Sequence, residues 1–351
     1  MSTNKHRNHP VYCVPAEVWH KLYDLAFQIR KLEPWTFMEE DDIIGIRPAG
    51  APEPYYAHVM GQRGELLAIG FYEGHSALRK FWELHYSLEN AEKNIILLMD
   101  TPQLQLSFGD AKSVYPAEKQ LIRELGFTPR GATAWPAFQS MRPGYVPWFL
   151  EPDEADMLSR VLAKHLELLT AAADDEWPEF SDLEQAYEVY VQSDSAPDEW
   201  TLEIVEPPQQ MFTRYDLEVT TSLFEAVQNL PQSPFEVEIA LVLAPFPVGP
   251  PDERARIPCL FAVVEPEAEF VLGVETLMAT EGVEVMYAQI PEVFLDILER
   301  NQLRPARVYS DDPRLLGVLE TPCEILGIEQ ILTDELIAAT YFLNDLFGRL
   351  G

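Results

Sequence analysis

The sequence predicts an α/β protein of the α+β kind, built as two domains. Three observations carry this. Apolar residues recur at helical spacing in some stretches and at period two in others, so both helices and strands are expected. The apolar fraction is 47% over 351 residues, enough for a sizeable core and too high for a disordered chain. The charge is lopsided. The formal net charge is −33. Residues 1–150 carry 17 acids against 15 bases, and residues 151–351 carry 41 against 10. The predicted division is an N-terminal mixed α+β domain over 1–172 and an acidic C-terminal mixed-sheet domain over 173–351.

In the first domain, Leu22, Leu25, Ala26, Ile29 and Leu32 follow helical spacing and predict a helix over 15–32, ended by Pro34 and Trp35. A meander follows at Ile43–Ile46, Tyr55–Met60 and Leu66–Tyr72, divided by glycines and prolines. Ser76–Tyr86 reads as helix. Asn94–Met99 reads as a short buried strand that pairs with Leu104–Phe108. Pro116–Leu125, with a proline start and Gly126 as its stop, reads as helix. Phe138–Trp148 reads as strand and turn around Pro143-Gly144. Leu158, Val161, Leu162, Leu166 and Leu169 mark an amphipathic helix. The linker is expected at Ala171–Asp182, where alanines meet Asp174, Asp175, Glu176 and Pro178.

In the second domain, Trp200, Leu202 and Ile204 alternate with Thr201, Glu203 and Val205. Phe235, Val237 and Ile239 alternate with Glu236 and Glu238. Period two separates an apolar face from an acidic one, so part of the acid excess is expected on a sheet face. Ala244–Asp252 is a proline-rich loop. Strands are expected at Cys259–Val264, Phe270–Leu277, Ala306–Tyr309 and Ile328–Leu332. Helices are expected from Pro291, from Pro313 with Asp312 as N-cap to Gly327, and at Asp334–Phe347 with Thr333 as cap. Pro322 is expected to kink the second of these.

Composition excludes several function classes. No apolar run approaches the ~20 residues of a membrane helix, and Met1–Pro10 lacks the apolar stretch of a secretory signal. Cys13, Cys259 and Cys323 lie far apart without a paired spacing, which fits a reducing, cytoplasmic setting. Residues 165–253 hold 20 acids and the single base Arg214. Such a surface repels a phosphate backbone and attracts a basic protein partner. Nucleic acid is therefore an unexpected ligand for the C-terminal half. There is no phosphate loop, no GxGxxG after a strand and no HExxH. Gly74-His75-Ser76-Ala77-Leu78 lacks the second glycine of a nucleophile elbow and reads as a helix start. His58 and His75 read as structural. Trp19, Trp35, Trp82, Trp135 and Trp148 read as core residues, with an aromatic cleft as the alternative.

Residues 235–348 read strand, strand, strand, helix, strand, helix, strand, helix. With Leu260–Glu265, Phe270–Gly273 and Arg307–Asp312, that order resembles the ribonuclease H-like core of integrases and transposases. The resemblance implies two divalent metals, Mg or Mn, held by carboxylates. The matching positions are Glu238 and Asp311 as catalytic residues. Glu238, Asp311 and Asp345, or Glu335 in the last place, would be metal ligands. Glu238 stands where that family has an aspartate. Trp19–Trp35, Met60-Gly61, Tyr72-Glu73-Gly74 and Arg142–Trp148 together resemble a bacterial two-domain family of unknown function, which implies no activity or cofactor. Two functions follow, beside a third reading in which the acid excess serves solubility and the function lies in the near-neutral N-terminal domain. The first is a non-catalytic interaction module whose acidic surface takes a basic partner and which needs no cofactor. The alternative is a metal-dependent nuclease or transposase-like enzyme.

Overall fold

The structure, a computed structural model, describes residues 9–39, 41–64, 66–86, 95–174, 186–206, 217, 219–250, 253–268 and 270–350. The chain forms two compact units. The first comprises Met1–Leu88, Thr101–Arg142 and Pro147–Gln210, and the second Glu89–Asp100, Pro143–Val146 and Met211–Gly351.

The first unit is a seven-stranded mixed sheet with helices on its faces. Its strands are β1 (Ile43–Arg47), β2 (Tyr55–Met60), β3 (Leu67–Glu73), β4 (Gln103–Gly109), β5 (Trp135–Met141), β6 (Tyr187–Gln192) and β7 (Trp200–Val205). They lie in the order β5-β4-β3-β2-β1-β6-β7, with only the β1–β6 pair parallel. Helices α1 (Ala16–Leu32) and α5 (Pro152–Ala173) cover one face. Their apolar stripes, with Trp19, Leu22, Ile29, Leu158 and Leu162, close on Ile44, Ile46, Ile69 and Phe71. Each such side chain contributes about 1.5–3 kcal/mol on burial. Helix α2 (Gly74–Tyr86) packs Leu78, Phe81 and Trp82 on the opposite face against Tyr56, Tyr72 and Tyr187. Helix α4 (Pro116–Glu124) starts with its proline, and Glu118 reaches back to accept the Tyr115 N–H at 3.1 Å.

The second unit is a five-stranded sheet of β8 (Glu236–Leu243), β9 (Pro258–Glu265), β10 (Phe270–Met278), β11 (Arg307–Ser310) and β12 (Glu329–Leu332) in the order β10-β9-β8-β11-β12. The first three pair antiparallel, and β11 joins β8 and β12 in parallel. Helices α3 (Ile95–Asp100), α6 (Thr221–Gln228), α7 (Val283–Ala288), α8 (Ile290–Arg300) and α9 (Pro313–Leu326) accompany it, and α10 (Ile337–Leu350) lies on the other face. Odd positions of β8, Val237, Ile239 and Leu241, join Phe294, Ile297 and Leu319 in the main core. Even positions, Ala240 and Val242, meet Ala338, Ala339 and Leu343 of α10. The expected order of three strands followed by alternating helices and strands is present. Asp312 caps α9 by accepting the Arg314 N–H at 2.8 Å. Gly327 ends α9 in the left-handed region, and Pro322 lies inside it.

The expected boundary at 172/173 moves. Strands β6 and β7 were assigned to the acidic domain, but they extend the first sheet through β1. Helix α5 runs unbroken to Ala173, because Ala171–Ala173 favour helix over linker. Asp175, Glu176 and Pro178 of the expected linker lie outside the described residues. Ile95–Asp100 is a helix rather than a strand, since a short apolar run does not distinguish the two. Asn94 lies outside the described residues. The partner of β4 is instead β3 on one side and β5 on the other. The last helix begins at Ile337, three residues later than Asp334, and Thr333 turns its hydroxyl to the Glu335 carbonyl.

Candidate functional site: the carboxylates of the second unit

The resemblance to metal-dependent nucleases turns on Glu238, Asp311 and a third acid. Glu238 is the third residue of β8, level with Val264 on β9 and Tyr309 on β11. Asp311 follows the end of β11. The parallel β8–β11 pair therefore places these two acids on neighbouring strands, two residues apart along them. The alternation that puts Glu238 on the face opposite Val237 and Ile239 turns it toward α10, and it is only 9% exposed. Its Oε2 accepts the N–H of Ala339 at 2.7 Å. Ala339 is the third residue of α10, so its amide is one of the helix's orphan donors. A carboxylate there also meets the positive end of the helix dipole. Glu238 is thus a cap supplied by a strand to a helix distant in sequence.

The third ligand does not converge. Asp345 is half exposed on α10 and pairs with Arg349 at 2.6 Å, one turn further along. Glu335 is exposed between β12 and α10. Beside Asp311, Asp312 is engaged on both sides. Tyr287 Oη donates to its Oδ2 at 2.6 Å, and the Arg314 guanidinium lies over the Tyr287 ring at 5.3 Å. Among the described residues no group of three or more His, Cys, Asp or Glu stands in position to hold a metal.

Several other carboxylates of this unit offset its arginines or cap its turns. Arg300 binds Glu275 and Asp296, and Arg307 binds Glu236 and Glu329. Glu265 accepts the N–H groups of Glu267 and Ala268 in the β9–β10 turn. Glu292 takes both the N–H and the hydroxyl of Thr220. Glu225, Glu253, Glu281, Glu320, Glu324 and Asp334 are exposed.

In the first unit the structure buries two ionisable groups that the sequence reading had not singled out, Glu118 and His165. Glu118 is 3% exposed, and burial pushes its carboxyl up to about 7. It lines a small recess with Tyr115, Trp148 and Phe149, which has room on the scale of one water, about 20 Å³. Of the five tryptophans weighed for an aromatic cleft, Trp19, Trp35, Trp82 and Trp135 are buried in the core and Trp148 borders this recess. His165 on α5 is fully buried against Phe71, and neither ring nitrogen has a hydrogen-bond partner among the described residues. Burial lowers its pKa to about 3. The clue was in the spacing, because His165 falls on the apolar stripe of Leu158, Val161, Leu162 and Leu169. His58 sits in β2 against Phe81, and His75 Nδ1 lies 3.1 Å from Tyr56 Oη. Glu53 accepts the His75 N–H at 3.0 Å and caps α2, so the Gly74–Leu78 stretch is a helix start.

No helix among the described residues is long and apolar enough to cross a membrane. No curated protein and no solved structure matches the chain. Residues 19–191 match one domain of unknown function (DUF7309), and residues 223–347 match another (DUF6930). The chain belongs to a two-domain family of unknown function.

Proposed function

We propose that the chain is a non-catalytic interaction protein whose acidic surface takes a basic protein partner. The observation that carries this reading is the Glu238–Ala339 hydrogen bond. The second unit is read as a ribonuclease H-like core in which the first-strand carboxylate anchors the last helix. That role is structural, and Asp345 is turned away to Arg349. The surface supports the rest of the reading. Among the described residues of this unit the only Lys or Arg side chains are arginines, and Arg300, Arg307, Arg314 and Arg349 each sit beside carboxylates. With Arg254, Arg256 and Arg304 as its other described bases, the unit keeps a large acidic excess, which steers cations inward and repels phosphates. The free thiols of Cys259 and Cys323 favour a reducing cytoplasmic setting.

The test is fluorescence anisotropy with two labelled ligands, a lysine-rich peptide and a single-stranded DNA of similar length. Binding of the peptide at low salt, weakened at high salt, with no DNA binding, is the expected result. Binding of the DNA, or of neither ligand, rejects the proposal.

A further inference from the structure

Strand β7 ends the seven-stranded sheet, and among the described residues nothing pairs with its outer side. Its backbone polarity follows from the register. The Ser193 N–H donates to the Glu199 carbonyl at 2.8 Å, and Ser193 lies opposite Glu199 when the β6–β7 register is extended. In an antiparallel pair, bonded and non-bonded positions alternate. Val191/Thr201 and Val189/Glu203 are therefore the bonded pairs. The N–H and C=O groups of Trp200, Leu202 and Ile204 point outward, away from β6.

The same residues carry the apolar side chains. Leu202 is 50% exposed and Ile204 64% exposed, on the face where Trp200 packs against the core. A strand edge with open hydrogen-bonding groups and exposed apolar side chains is a pairing template, which proteins usually blunt with charge of both signs or with proline. Within the strand and its flanks the charge has one sign, and the cations beside it come from elsewhere in the unit: Arg47 reaches Glu203 at 3.4 Å, and Lys164 lies over the Trp200 ring. Residues 193–206 contain Asp194, Asp198, Glu199, Glu203 and Glu206 and no Lys or Arg. All five acids are exposed.

We infer that β7 is a docking edge for an extended basic segment of a partner protein, which adds as an eighth strand. The segment alternates apolar residues, placed beside Leu202 and Ile204, with Lys or Arg placed beside Glu203 and the acidic ends of the strand. Backbone bonds supply affinity, and the alternation supplies specificity. A second copy of this chain fits poorly, because pairing β7 with itself brings its acids beside one another. This inference rests on the reading of the protein as an acidic interaction module and locates its contact.

The test uses full-length protein, a labelled peptide of about ten residues alternating lysine and isoleucine, and an isomer with the same composition in blocks. The informative variant is Leu202→Pro. The Leu202 N–H points outward and makes no ladder bond, so proline there removes a docking donor while leaving β6–β7 pairing intact. Its melting temperature is the control for folding. The expected result is salt-dependent binding of the alternating peptide, about tenfold or more weaker binding in Leu202→Pro, and weaker binding of the block isomer. Should proline lower the melting temperature, Leu202→Lys with Ile204→Lys serves instead. Equal binding to the variant overturns the docking edge and leaves the acidic-surface reading standing. Absence of binding by either peptide overturns both. A wild-type dimer that Leu202→Pro converts to monomer assigns the edge to a second copy and overturns the basic-partner inference.

Discussion

Acidification should destabilise the first unit through His165, by an amount its burial sets. The imidazole is fully enclosed with both nitrogens unpartnered among the described residues, and burial lowers its pKa from the ordinary 6.5 to about 3. The folded state therefore binds the proton less readily than the unfolded chain. The stability contributed by neutral His165 is complete above pH 6.5 and is lost as pH falls toward 3. Between pH 7.5 and 5.5 the loss amounts to about 1.4 kcal/mol. This window stays clear of the sequence pI near 4.4. Glu118 acts with the opposite sign. Its carboxyl is raised to about 7, so its contribution is present below 4.5 and is lost as pH rises through 7. Comparing wild type with His165→Leu isolates the histidine, because Glu118 is common to both. Urea denaturation followed by tryptophan fluorescence reports this unit, since all seven tryptophans precede residue 201. Wild type should lose about 1.4 kcal/mol more than the variant between the two pH values. Parallel pH profiles would refute the assignment of a neutral, unpartnered imidazole.

Other residues give independent checks. Glu238→Ala removes the anchor of α10 and should cost about 1–3 kcal/mol, while Glu238→Gln, which keeps an acceptor oxygen, should cost less; urea midpoints by far-UV circular dichroism decide, and equal losses would contradict a hydrogen-bonding role. Gly74 adopts φ +76° with the Glu53 carboxylate filling the space a Cβ would need, so Gly74→Ala should cost more than the ~1 kcal/mol of a left-handed backbone alone, measured by chemical denaturation. Burial raises the thiols of Cys259 and Cys323 to about 11 and about 12, while Cys13 is exposed. A disulfide reagent at neutral pH should therefore modify one thiol per native chain and all three after denaturation, and rapid reaction of all three in the native protein would contradict the packing.

Element types were legible where periodicity ran long or where special residues punctuated it. Helix α1, the β1–β3 meander, the Asp312 cap and the Gly327 stop follow from local spacing and turn chemistry. Ile95–Asp100 was misread because six residues show no period that separates a helix from a buried strand. Strand β7 was recognised, yet its sheet was not, since pairing with the first unit depends on β6, whose Glu188 and Gln192 weaken the strand signal. The role of Glu238 was hidden for a related reason. Alternation shows that Glu238 faces away from Val237 and Ile239, but not that a helix a hundred residues later covers that side. His165 was the more readable case, a polar residue on an otherwise apolar helical stripe.

Whether Glu238 holds a helix or a metal is most directly tested with Mn²⁺ by nuclear magnetic resonance. Bound Mn²⁺ broadens the signals of nearby nuclei, and the Ala339 amide lies 2.7 Å from the Glu238 carboxylate. A structural carboxylate predicts that the Ala339 resonance persists through a millimolar Mn²⁺ titration and shifts in Glu238→Ala. Selective loss of that resonance at low Mn²⁺, abolished by Asp311→Asn, would contradict it and restore the metal site.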